Sequence, residues 1–193
     1  MREAREAWFE AQPDLDPDRL VFLDETAAAT NMARRYGRAP RGERCRIAVP
    51  QGPYKTTTVT AALRSTGLFA TALFDGATNG QRFRSYVTET LVPVLKRGNT
   101  VILDNLPAHK VAGVREAVEA VGARLPYLPP YSPDFNPIEQ AFAKLKAPLR
   151  SAAARTVPDL RATIRQAFSR FTPRECRNYL AAAGYESDLA VAP

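Results

Sequence analysis

Short apolar runs open the patterned part of the chain: residues 20–24 in LVFLDE, then 56–63 and 68–74, the last two parted by Ser65, Thr66 and Gly67. Runs of this length bounded by turn residues predict buried strands, and the short polar-Gly turn predicts a hairpin beside the first strand. The period then lengthens. Phe83, Tyr86, Val87, Thr90, Leu91, Val94 and Leu95 recur at helical spacing, which predicts one amphipathic helix over 79–96 with one face on the sheet. A buried strand over 100–104, a helix carrying Val111, Val114, Val118 and Val121 on one side, and a short strand over 124–128 complete an alternating β-α-β region. The next helix presents Ile138, Phe142, Leu145 and Leu149 as its buried stripe, and Pro148 is expected to kink or end it. Two further helices carry start signals, Thr156 with Pro158 and Asp159, and Thr172 with Pro173 and Glu175; Gly184 ends the last. The tail after Tyr185 is expected to fray.

Residues 1–19 read as a short charged helix ending in the turn-rich PDLDPD, a connector to a core over 20–151, with 152–193 as a C-terminal helical extension. With 193 residues and 45% apolar content, the chain can bury one real core. The net charge of +7 and pI near 9.7 point to a polyanionic partner, since clustered Lys and Arg bind phosphates and release counterions. Cys45 and Cys176 stand far apart in no metal-ligand spacing, and no long apolar span or signal peptide is present. These features predict a reduced, cytoplasmic protein with no membrane partner. A single histidine, His109, excludes a multi-histidine zinc site, leaving oxygen-ligand metal chemistry.

Three carboxylates carry that chemistry. Asp24 and Asp104 each end an apolar run, in LVFLDE and TVILDN, which places them at the C-terminal edge of buried strands, the usual ligand side of such sheets. Taken alone, either aspartate fits a solvated turn capping the next element better. Glu139 opens a helix, where Asn136, Pro137 and Glu139 also fit N-cap, N1 and N3 of a capping box. A hard divalent ion is usually held by a few carboxylates plus water and phosphate oxygens, and two such ions can serve both oxygens of a phosphodiester displacement. Asn105 and His109, just past Asp104, are placed to support a ligating carboxylate or touch a phosphate. Glu25 should point to the opposite side of its strand and is read as structural. LDET is similar to a phosphatase motif, but Thr26 stands where its second aspartate is needed.

The strings LDET, LDNLPAHK and PPYSPDFNPIEQAFAKLK, in that order, resemble the catalytic core of DDE transposases, specifically the bacterial insertion-sequence branch of the mariner-like superfamily. Thirty-four residues separate Asp104 from Glu139, the spacing of that branch, and RRYGRAPRGERC resembles its arginine-rich stretch. Phe142 stands where the family often carries Trp. The order of strands and helices agrees with what the resemblance implies: an α/β ribonuclease H-like fold, a mixed five-stranded sheet flanked by helices, with extra C-terminal helices. Its first and fourth strands would be adjacent and parallel, making Asp24 and Asp104 neighbours. The resemblance further implies two Mg²⁺ or Mn²⁺ ions held by Asp24, Asp104 and Glu139. Those ions would serve cleavage at the element's terminal inverted repeats and transfer of the 3′ end to target DNA. It also implies dimerisation on DNA and an N-terminal helix-turn-helix part, encoded separately or joined by frameshifting. A structure-selective nuclease on the same fold, or an inactive DNA-binding remnant, remains the alternative.

Arg34, Arg35, Arg38, Arg41, Arg44 and Arg46 crowd one Gly- and Pro-containing segment with only Glu43 opposing them. Such a run is often just a solvated loop; in a protein that handles DNA it would lie along the phosphate backbone. Lys144, Lys146 and Arg150 form a second expected phosphate track, and Arg155, Arg161, Arg165, Arg170, Arg174 and Arg177 are expected to face DNA or a partner subunit.

Overall fold

In the computed structural model, which describes residues 2–186, strand β1 runs Leu20–Ala29, β2 Thr56–Arg64, β3 Gly67–Asp75 and β4 Thr100–Leu103. They form one mixed sheet in the order β3-β2-β1-β4, with β2 antiparallel to both neighbours and β4 parallel to β1. The hairpin follows the sequence pattern, and the β1–β4 adjacency follows what the family resemblance implies. The strand count does not: among the described residues the sheet has four strands, and the fifth, expected over 124–128, is reduced to the bridges Thr100↔Arg124 and Leu103↔Tyr127. That segment still runs along β4, accepting from Val101 at Arg124 and donating from Leu128 to Leu103, both 2.8 Å. Pro126 between them has no N–H to offer, so a continuous ladder cannot form. β1 is also longer than expected, because β2 keeps pairing with it as far as Ala29↔Thr56.

Alternation along β1 divides the core. Leu20 and Phe22 face Ile138, Phe142, Leu145 and Leu149, whereas Val21 and Leu23 face Phe83, Tyr86, Leu91, Val114 and Val118. The sheet is therefore covered on both sides. Helices α2 (Gly80–Tyr86) and α3 (Val114–Ala120) supply one layer; α4 (Ile138–Ala152), α5 (Val157–Phe168) and α6 (Pro173–Ala182) supply the other. Leu160, Ile164 and Leu180 of α5 and α6 pack in the same cluster as the α4 stripe. An N-terminal helix, α1 (Arg2–Ala11), buries none of its residues fully.

Two helices depart from their expected course. The run expected as one α-helix over 79–96 changes pitch: α2 passes into a π-turn at Val87–Leu91 and a 3₁₀ turn at Val92–Val94. Pro93, lacking a donor, sits where the pitch tightens, and Val94 consequently leaves the buried face at 45% exposure. Pro148 does not end α4, which continues to Ala152 and stops at Ala153 in the left-handed region, φ 49°. So near the C-terminus, the proline removes only a late hydrogen bond.

The two later helix starts form as the caps predict. Thr156 accepts from the amide of Asp159, and Thr172 and Glu175 make a reciprocal capping box. Gly184, at φ 87°, closes α6 with Tyr185 N–H donating to Leu180 O at 3.0 Å. Thr172→Ala should therefore cost about 1 kcal/mol, read as a lower denaturant midpoint at unchanged slope. The expected fraying falls on residues 187–193, outside the described residues.

Candidate active site

Register alone brings the two aspartates together. Leu23 and Leu103 are the last paired residues of the parallel β1–β4 ladder, so Asp24 and Asp104 are the next positions on adjacent strands. β4 ends there while β1 continues, and the chain after Leu103 turns away, opening a cleft of about 420 Å³. Asp24, Asp104, Asn105, Asn136 and Glu139 line it together with Leu106, Tyr131 and Pro129. Glu139 arrives from the first turn of α4, which docks on β1 through Ile138 and Phe142.

The capping box that local pattern also allowed at this helix start is absent. No side chain caps α4, and the Asn136 amide instead donates to Asp24 Oδ2 at 2.8 Å. Glu139 is exposed and enters no side-chain hydrogen bond among the described residues, leaving its carboxylate free on the cleft wall. The SPDFN turn thus serves β1 rather than its own helix.

Each aspartate is held by its surroundings. Asp24, 8% exposed, accepts from the Glu25 amide at 2.7 Å as well as from Asn136. Burial, together with the charges of Asp104 and Glu139, pushes its pKa up to about 7 against the lowering effect of the Glu25 amide. Asp104 accepts from the Leu106 amide at 3.2 Å and lies 2.5 Å from His109 Nδ1. His109 is fully buried, its ring 4.3 Å from that of Phe83, with Nε2 3.8 Å from Glu25 Oε2. Burial disfavours its charge, but the hydrogen bond to Asp104 and the charges of Asp104 and Glu25 outweigh this and raise its pKa to about 9. Imidazolium between two carboxylates is the resulting state near neutral pH.

Sequence reasoning missed two of these roles. Glu25 does point away from Asp24, yet from the other face it reaches His109 and so braces Asp104; its only sequence signal was adjacency to Asp24. Asn136 was assigned to a cap because local pattern cannot reveal a partner 112 positions away.

Asp24, Asp104 and Glu139 offer the oxygen donors a hard divalent cation requires, and a cation between them would offset the burial and the neighbouring charges that hold the Asp24 proton. Among the described residues no three acidic, histidine or cysteine side chains already close around a single point. Asp24 and Asp104 oxygens are turned toward Asn136, His109 and backbone amides instead.

The basic residues divide. Arg34, Arg35, Arg38, Arg41, Arg44 and Arg46 are all exposed on the loop between β1 and β2, and none is ion-paired among the described residues. Arg35 meets Lys146 and Arg150 across a second, shallower cleft. Lys144 does not join them: its ammonium bridges Glu175 and the Arg170 carbonyl, tying α4 to α6. Arg155 and Arg161 are likewise engaged, with the Thr30 and Met32 carbonyls and with Asp75.

A mixed sheet covered on both faces, with carboxylates converging where parallel strands part, defines a ribonuclease H-like phosphoryl-transfer fold. The DDE superfamily endonuclease model matches residues 19–161, and the chain belongs to that family. Solved structures agree on the fold. A pre-cleavage Mos1 transpososome superposes with TM-score 0.68 at 16% identity, over 97% of this chain and 62% of that one. The Mos1 mariner paired-end complex with Mg gives 0.68 at 17%, over 94% and 58%. The isolated catalytic domain of Mos1 mariner transposase gives 0.60 at 16%, over 97% and 93%. The chain thus spans about three fifths of the Mos1 chains in those complexes. No curated protein matches it by sequence. No helix among the described residues is long and apolar enough to cross a membrane.

Proposed function

We propose that this chain is the catalytic domain of a DNA transposase, cutting DNA at element ends and joining the freed 3′ end to target DNA. The observation that carries the reading is the convergence of Asp24, Asp104 and Glu139 on one cleft, two of them by strand register and the third by helix docking. Asp24, Asp104 and Glu139 would hold two Mg²⁺ or Mn²⁺ ions, which supply charge neutralisation and a more acidic water or hydroxyl at the reacting phosphate. Mos1 complexes solved with Mg and with Mn support that choice of metal.

The chain's own groups do the positioning. His109 and Glu25 keep the Asp104 carboxylate fixed, and Asn136 aims Asp24. In cleavage, water attacks phosphorus in line and the 3′ oxygen departs; in joining, that 3′-hydroxyl attacks a target phosphodiester and displaces the target's own 3′ oxygen, so phosphodiester number is conserved. The free arginines of the β1–β2 loop, with Lys146 and Arg150, would hold DNA phosphates without reading sequence. The Mos1 paired-end complex with a left transposon end supports two copies pairing on element ends; end recognition would come from the separate or frameshift-fused N-terminal helix-turn-helix part that the family resemblance implies.

Calorimetric titration with Mn²⁺ tests the reading. Saturable binding by the wild type, lost in Asp104→Asn and in Glu139→Gln, is expected; binding unchanged in both variants would remove these residues from the metal site. A joining assay then separates a transposase from a plain nuclease, which cuts but transfers no strand. His109→Ala should weaken Mn²⁺ binding by about 10- to 100-fold, the usual cost of losing the partner that orients a ligating carboxylate.

A further inference from the structure

Helix α1 lies before the residues matched by the family model. It buries none of its residues fully, and Trp8 packs partly buried against the core. Its polar attachment is concentrated on one segment. The Arg5 guanidinium donates to Ser132 Oγ at 2.8 Å and to both oxygens of Asp134 at 2.9 and 2.7 Å, and stands 4.8 Å from the Phe135 ring centroid. One turn on, Trp8 Nε1 donates to Tyr185 Oη at 3.0 Å, and that hydroxyl donates to the Phe135 carbonyl at 2.9 Å. Both ends of the turn 132–135 are therefore held from α1, one directly and one through Tyr185. The same turn leads straight into Asn136, which aims Asp24, and Glu139, on the cleft wall.

We infer that α1 is a strap on the catalytic turn, with Arg5 as a positioning residue that sets where Asn136 and Glu139 stand. A bidentate guanidinium–carboxylate pair fixes direction as well as distance, which a hydrophobic contact would not. Tension or release on the segment preceding β1 is then transmitted to the metal-holding carboxylates. The consequence for the metal rests on the transposase reading; the strap itself does not.

Hydrogen exchange on the full chain tests it, comparing wild type with Arg5→Ala, Arg5→Lys, Asp134→Arg and the exchanged pair Arg5→Asp/Asp134→Arg. Amides of 132–139 should exchange about tenfold faster in Arg5→Ala and Asp134→Arg, as expected for losing a charge-assisted pair. They should recover in the exchanged pair and partly in Arg5→Lys, while β1–β4 amides stay unchanged. Wild-type exchange in Arg5→Ala, or no recovery in the exchanged pair, would overturn the strap. Mn²⁺ titration of the same proteins separates the two readings. Wild type that binds no Mn²⁺ while the exchange pattern holds would count against the metal site and leave the strap standing. Mn²⁺ binding equal in wild type and Arg5→Ala would break the link between them.

Discussion

Asp104→Asn should reduce metal-dependent DNA cleavage by on the order of 10³- to 10⁴-fold, the scale seen when one member of a concerted catalytic group is lost. The substitution keeps shape and removes charge. Its carboxamide oxygen still accepts from the Leu106 amide and from His109, and the side chain is 31% exposed, so the cleft wall keeps its shape while buried His109 loses one of its two acidic neighbours. Cleavage of a DNA carrying the flanking element ends, with Mg²⁺ or Mn²⁺, is the measurement; circular dichroism and DNA mobility shift should match wild type. Cleavage within tenfold of wild type would exclude Asp104 from the chemistry.

Asp24→Asn should behave differently, abolishing cleavage while stabilising the metal-free protein at pH 8. The carboxyl titrates near 7 in the folded chain against 3.8 for the free group, raised chiefly by burial. The folded state therefore holds the proton more tightly than the unfolded one. Below about pH 4 both states are protonated and nothing is lost; from there to about 7 stability falls as pH rises, by up to roughly 4 kcal/mol. A carboxamide at this position removes that loss. The Asn136 Oδ1 atom is buried without a partner, so a flipped Asn136 side chain can accept from the N–H₂ group that the substitution introduces. Denaturant unfolding with chelator present should show the variant more stable by on the order of 1–4 kcal/mol at pH 8 and equal at pH 4. Mn²⁺ should narrow the gap by stabilising wild type alone. A variant less stable than wild type at pH 8 would mean that the Asp24 carboxylate is already compensated by its neighbours.

Both expectations depend on a site whose parts were visible in the sequence to different degrees. The apolar runs before Asp24 and Asp104 placed each at a strand end, and the Ile138, Phe142, Leu145 and Leu149 stripe fixed which side of α4 is buried. The family spacing then singled out Glu139, which local pattern alone assigned equally well to a cap. The expected fifth strand failed at Pro126, a residue legible in advance whose effect depended on which N–H groups the β4 edge required.

By itself, then, the sequence determined what is local: the strands and hairpin from short apolar runs bounded by turn residues, the stripes of α2 and α4 from helical spacing, the caps at Thr156 and Thr172, and the identity of three acidic residues. Only the tertiary structure decided which groups meet. Asn136 serving Asp24, Glu25 bracing His109, Lys144 withdrawn by Glu175 and the Arg170 carbonyl, and Arg5 gripping Asp134 join residues from 26 to 129 positions apart. Hydrophobic periodicity records whether a position is buried, because water acts on every residue alike. It carries no record of which polar partner will lie across the fold, because that depends on register and docking set by the whole core.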